Sequence, residues 1–151
     1  MGNDRIIAVE EHFATRRYLE AAAKLGVWSG DELEMAQMRG PFLAPWMVEK
    51  LGNLEARLEV MDESGTDLAV MSLNPPGVQP YEPVAAATAL VESANDEMAE
   101  AVGRYPDRFA GLGAVAPQDP DHAAREIERI MGPLGLSGLM ICSHTHGLYL
   151  D

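Results

Sequence analysis

Cysteine is nearly absent from this chain: Cys142 is the single one in 151 residues. No intrachain disulfide can form, and the reading is of a protein suited to a reducing cytoplasm. Positive charge is also scarce, with 11 Lys and Arg against 24 Asp and Glu and a formal net charge of −13. Such a chain repels the phosphates of nucleic acid and of anionic membranes, so neither is expected as a partner. Long hydrophobic runs are missing as well, and nothing approaches the roughly 20 apolar residues of a membrane span. The opening residues, Met1 to Arg5, lack the basic start and apolar run of a signal peptide. Ile6 stands where a myristoylation signal needs Ser or Thr.

What is present reads as one folded unit. Hydrophobic residues make up 47% and charged residues 23%, and the 10 Pro and 14 Gly punctuate apolar segments. Ile6-Ile7-Ala8-Val9 is a short β-branched run of the kind buried on both faces in a parallel sheet. Leu68 to Met71, the glycine-rich Ala110 to Val115, and Gly138 to Cys142 read the same way. Between them the period becomes helical. Met47, Leu51, Leu54, Leu58 and Met61 share one face, with Gly65 placed as a C-terminal glycine. Val84, Ala87, Val91, Ala94, Met98 and Val102 form a second helix between Pro83 and Tyr105-Pro106. Asp119-Pro120 reads as an N-cap with proline at the first helical position. That third helix turns Ala123, Ile127, Ile130 and Leu134 inward and ends at Gly135.

The alternation of strand and helix predicts βαβ units on a parallel sheet. About four such units correspond to the N-terminal half of a (β/α)8 TIM barrel, a fold usually of about 250 residues. Residues 1–151 are taken as a single domain with an insertion at about 27–46, which contains Trp28, a Met-rich acidic stretch and Pro45-Trp46. Insertions of that length often cover a site.

Three clusters carry possible chemistry. Glu10 and His12 follow the first strand two residues apart, so they share a face while Glu11 points away. A carboxylate and an imidazole at the C-terminal end of a barrel strand suit a divalent ion such as Zn²⁺ or Mn²⁺. Ser143-His144-Thr145-His146-Gly147 follows the fourth strand, and spacing alone permits a four-ligand cage of Glu10, His12, His144 and His146. It equally permits a polar loop whose side chains satisfy backbone groups. Asn74-Pro75-Pro76-Gly77-Val78-Gln79-Pro80 forms a stiff loop after the second strand. Arg57 reads as a solvated or salt-bridged helix residue, before a substrate clamp, and Cys142 as a structural thiol. Gly111-Leu112-Gly113 lacks the third glycine and following helix of a dinucleotide site.

Five stretches in the same order resemble the amidohydrolase-related family that contains γ-resorcylate, 2,3-dihydroxybenzoate and 5-carboxyvanillate decarboxylases. They are Ile6 to Ala14, Arg57 to Ser72, Pro76 to Pro80, Tyr105 to Pro120, and Gly138 to Asp151. The resemblance implies that Glu10 and His12 are metal ligands, with Zn or Mn as the cofactor. The 5-carboxyvanillate enzymes carry Ala where this chain has His12. It implies that Phe13, Asn74, Pro75, His144 and His146 contact the substrate, which places the two later histidines beside it and off the metal. The family's further metal ligands and its catalytic histidine have no counterpart here, and the resemblance implies that they lie in the other half of the barrel.

The activity so implied is non-oxidative decarboxylation of an ortho-hydroxy aromatic acid. The partner is a small aromatic carboxylate, and the full-length enzyme is expected to be a homo-oligomer. Two readings compete with it. One is a hydrolase of the same superfamily acting on an amide, lactone or imide. The other is a non-catalytic half barrel that assembles with a partner chain.

Overall fold

The computed structural model describes residues 4–27, 30 and 45–150. In chain order the elements are β1 (Ile7–Phe13), α1 (Arg16–Ala22), β2 (Gly26–Val27), α2 (Pro45–Gly52), α3 (Leu54–Ser64), β3 (Leu68–Leu73), β4 (Tyr81–Glu82), α4 (Val84–Arg104), β5 (Phe109–Gly113), α5 (Pro120–Met131) and β6 (Gly138–Leu139). Four strands form one sheet in the order β1-β3-β5-β6, every pair parallel. This is the expected α/β alternation.

The three expected helices lie where their signals put them, with two adjustments, and α1 is a further helix that was not foreseen. The single helix expected across Met47 to Met61 is two helices broken at Asn53. The Asn53 backbone is extended, and its side-chain oxygen accepts a hydrogen bond from the Ala56 amide at 2.9 Å. An asparagine that offers the backbone this bond competes with helix continuation and starts a new helix instead. Gly65 closes α3 with a φ of 71°, in the left-handed region that favours glycine. Asp119 caps α5 as expected, accepting from the His122 amide at 3.0 Å. The helix itself stops at Met131, and the chain turns through Gly135, where φ is 60°.

Two strands differ from expectation. β1 continues through Glu10, Glu11 and His12 to Phe13, so these residues belong to the strand. β6 is only two residues long, and Met140 to Cys142 fall outside it. A second, antiparallel sheet of β2 and β4 was not foreseen, because two-residue strands carry no readable period. Of the expected insertion at 27–46, most lies outside the described residues.

One face of the parallel sheet is covered by helices. Phe13, Met71 and Phe109 from the strands pack against Leu54, Met61, Met98 and Ile130 from α3, α4 and α5. A second cluster, with Tyr18, Leu73, Val78, Tyr81 and Val91, fills the space around the C-terminal ends of the strands. The glycines of β5 belong to this packing. A Cβ on Gly113 would meet three carbons of Ile130 within 2.9 Å, and one on Gly111 would meet Leu136 and Met98 at 2.9 Å. Gly111-Leu112-Gly113 is therefore a close sheet–helix contact.

Candidate metal and substrate site at the strand ends

The geometry of β1 decides which side chains meet at the site. Ile7 and Ala8 pair with Leu68 and Ala69, whereas Glu11, His12 and Phe13 pair with Met71, Ser72 and Leu73. Three residues on β1 thus span two on β3, so β1 carries one extra residue, a β-bulge, at Val9-Glu10. Ala8 and Glu11 both line a groove beneath α3. Val9, 72% exposed, and Glu10 lie between them on the uncovered side. Beyond the bulge the alternation resumes. Glu11 and Phe13 face the helices, and Glu10 and His12 share the open face.

Arg57 of α3 fixes the register of this strand end from behind. Its guanidinium donates to the Glu11 carboxylate at 2.6 Å and to the His12 carbonyl oxygen at 2.6 Å. Glu11 is consequently held by an ion pair, and the backbone of His12 is anchored from the helix side. The imidazole is half-buried, and its Nδ1 is buried without a hydrogen-bond partner. A buried ring nitrogen with no partner costs free energy unless something binds it. Glu10, two residues earlier on the strand, is exposed. A carboxylate oxygen and an imidazole nitrogen suit Zn²⁺ or Mn²⁺, and these two residues fit part of such a ligand set.

The four-ligand cage is not formed. Among the described residues, no group of three or more His, Cys, Asp or Glu side chains is arranged to hold a metal ion. His144 and His146 lie half-buried in the loop after β6, with the His144 ring 6.1 Å from that of Tyr149. Asn74 and Pro75 are half-buried at the end of β3, where the Asn74 amide bonds the Phe13 carbonyl at 2.8 Å. Phe13 itself is turned away from the mouth. It is 2% exposed and packed among the sheet–helix core side chains, so it supports the strand end from behind.

Two side-chain amides, neither singled out by sequence spacing, organise the rim. Asn95 of α4 accepts from the Ala114 amide and donates to the Ala114 carbonyl, both at 2.8 Å. It also donates to buried Glu126 at 2.6 Å, which in turn receives two hydrogen bonds from Arg129. These bonds raise the Arg129 pKa above its ordinary value, against the opposing effect of burial. Gln79 is the second, accepting from the Cys142 amide at 2.7 Å and donating to the His144 carbonyl at 2.8 Å. Its loop is braced from below by the Tyr18 hydroxyl, which donates to the Gly77 carbonyl at 2.9 Å. Burial, then Tyr81 and Cys142, push the Tyr18 hydroxyl well above its usual pKa. Neither amide stood out in the sequence: Asn95 lies within the polar run Glu92 to Glu97, and Gln79 within a proline-rich loop, so their buried partners are visible only once the fold is known.

No helix among the described residues is long and apolar enough to cross a membrane. The chain is 35% identical over 135 residues to the γ-resorcylate decarboxylase of Polaromonas sp. (strain JS666 / ATCC BAA-500), covering 89% of this chain and 38% of that protein. It is 34% identical over 145 residues to the γ-resorcylate decarboxylase of Rhodococcus jostii (strain RHA1), covering 96% and 40%. The fold superposes on a 5-carboxyvanillate decarboxylase of Novosphingobium aromaticivorans DSM 12444 with a TM-score of 0.84 and 40% identity, over 98% of this chain and 44% of that one. That structure holds manganese and 4-hydroxy-3-methoxy-5-nitrobenzoic acid. The chain thus spans about 40% of the length of the curated relatives it matches. The sheet corresponds to the N-terminal βα units of the TIM barrels of these amidohydrolase-type decarboxylases. The amidohydrolase family model matches residues 39–151, and the chain belongs to that family.

Proposed function

We propose that this chain supplies the first strands of a metal-dependent, non-oxidative decarboxylase acting on an ortho-hydroxy aromatic carboxylic acid. The observation that carries this reading is the shared open face of Glu10 and His12, with a buried imidazole nitrogen left unpartnered at a rim formed by strand ends. Relatives that are decarboxylases, one of them solved with manganese and a hydroxynitrobenzoic acid, support it.

Glu10 and His12 would hold the ion. A divalent cation held there supplies Lewis-acid charge for the substrate carboxylate and its neighbouring phenolic oxygen. The chain's own residues do the rest of the positioning. Arg57 keeps the His12 backbone in place, which limits the freedom of the ligand pair. Asn74, Pro75, His144 and His146 line the mouth and orient the ring. In the net reaction the ring carbon exchanges its carboxylate for a proton, and carbon dioxide leaves. The acid that delivers this proton belongs to the remaining strands of the barrel. The single thiol fits a reducing cytoplasm, and the complete enzyme is read as a homo-oligomer.

The 151-residue chain by itself is expected to be inactive, so the test is an assay of the metal-loaded full-length enzyme for carbon dioxide release from 2,6-dihydroxybenzoate and 5-carboxyvanillate, run beside hydrolysis of cyclic amides and lactones. Release from at least one acid, lost in Glu10→Gln, is the expected result. Hydrolysis without decarboxylation would overturn the reading in favour of a hydrolase.

A further inference from the structure

We infer that Gln79 is the positioning residue for the His144–His146 loop, its side-chain amide replacing a neighbouring strand beyond the end of β6. The inference rests on the proposed reading of this loop as part of the substrate mouth.

β6 is short. Its ladder with β5 consists of the Leu112–Gly138 and Gly113–Leu139 pairs, followed by one bond from the Met140 amide to the Gly113 carbonyl at 2.9 Å. Past that point the chain still holds a defined course, and Gln79 explains how. Gln79 Oε1 accepts from the Cys142 amide at 2.7 Å, and Nε2 lies 3.3 Å from the Cys142 carbonyl. This is the donor–acceptor pattern that a strand neighbour would present. The same Nε2 donates to the His144 carbonyl at 2.8 Å and the Thr145 hydroxyl at 2.7 Å. A primary amide has two N–H donors, so these two short contacts take them and the 3.3 Å contact shares one.

The side chain reaches past β5, since the sheet order is β1-β3-β5-β6. Its base is rigid. Tyr18 holds the Gly77 carbonyl, and Gln118 donates to the Val78 carbonyl at 3.0 Å. Gln79 itself is 5% exposed. Beyond Thr145 the loop closes on itself, with reciprocal Thr145–Leu148 backbone bonds of 2.9 and 3.0 Å. Between them His146 has a φ of 49° and Gly147 a φ of 76°. Two successive positive φ values identify a two-residue turn of the I′ kind, whose first position ordinarily takes Asn, Asp or Gly. A histidine in that position is strained, and it stays there only if surrounding bonds over-determine the loop. Gln79 supplies them. A glutamate could not replace all of them, because it would set a carboxylate oxygen against the His144 carbonyl, which has no hydrogen to donate.

The experiment compares wild type with Gln79→Met and Gln79→Glu by NMR amide hydrogen exchange in the 151-residue chain. Gln79→Met is expected to lose tenfold or more protection at Cys142, Thr145 and Leu148, and Gln79→Glu at Thr145 and Leu148, while amides of β1, β3 and β5 keep theirs within twofold. Unchanged protection at those three amides overturns the inference. So does loss spread evenly over the sheet, which would mark a general stability role. In the metal-loaded full-length enzyme, KM for 2,6-dihydroxybenzoate is expected to rise at least tenfold, with kcat within threefold and metal content unchanged. A fall in kcat at constant KM counts against a positioning role. The two readings fail separately: a full-length wild type that releases no carbon dioxide refutes the proposed reaction, whereas the exchange data decide the Gln79 lock alone.

Discussion

Arg57 has two partners that matter differently. Its bond to Glu11 is partly solvent-screened, since the Glu11 side chain is 39% exposed, whereas its bond to the His12 carbonyl anchors a residue proposed to hold a metal. Arg57→Met should therefore destabilise the fold by about 1–3 kcal/mol in urea unfolding and weaken metal affinity about tenfold or more. An equal stability loss with unchanged metal affinity would reduce Arg57 to a packing role. Tyr18 offers a second test. Its folded pKa is raised, chiefly by burial, so the native state favours the protonated hydroxyl. That contribution to stability is present below the ordinary value of 10.0 and is lost as pH rises through the folded value. Stability should fall as pH increases above 10.0, and Tyr18→Phe should flatten that slope while costing about 1 kcal/mol at neutral pH for the lost bond to Gly77. From the sequence Arg57 could be either solvated or salt-bridged, and the structure selects the ion pair. Which carboxylate it takes depends on a bulge that no local pattern announces.

β5 shows why glycine in a strand carries two readings. From the sequence, Gly111-Leu112-Gly113 was dismissed as a nucleotide motif and read as part of a glycine-rich strand. The structure makes it a full strand that needs its glycines, because Ile130, Leu136 and Met98 already occupy the space where Cβ atoms would project. Gly113→Ala is expected to cost about 1–3 kcal/mol by overpacking, measured by chemical denaturation. Combining it with Ile130→Val should recover part of that loss, and failure to recover any would point to backbone strain instead. Caps and periodicity gave α4, the N-terminus of α5 and the end of α3, since these depend on residues within one turn of each other. The break at Asn53 was missed because an apolar face runs on through it, and only the Asn53–Ala56 bond reveals the new start. β2, β4 and the two-residue β6 were illegible or overdrawn for a different reason. Their length is set by partners distant in sequence, not by composition.

Across the molecule, the parallel order of the strands brings three chemically distinct segments to one rim: Glu10 with His12, the Asn74–Pro80 loop and the Ser143–Gly147 loop. Strand alternation alone was enough to place them at the same end of the sheet. What spacing left open was how His144 and His146 divide between metal and substrate, and the absence of a grouped ligand set among the described residues removes the four-ligand cage. The surface charge of −13 gives an anionic substrate no general attraction, so recognition has to come from a local positive charge at that rim. In the proposed reading that requirement falls on Glu10 and His12 as holders of a cation. Titration of the ¹⁵N-labelled chain with Mn²⁺, followed by paramagnetic line broadening, addresses it directly. The account predicts broadening centred on Glu10, His12 and neighbouring Ser72, abolished in a Glu10→Gln/His12→Ala double variant. Broadening centred instead on Asp62, Asp67 and Asp107 at the opposite end of the strands, or unaffected by the double variant, would contradict it.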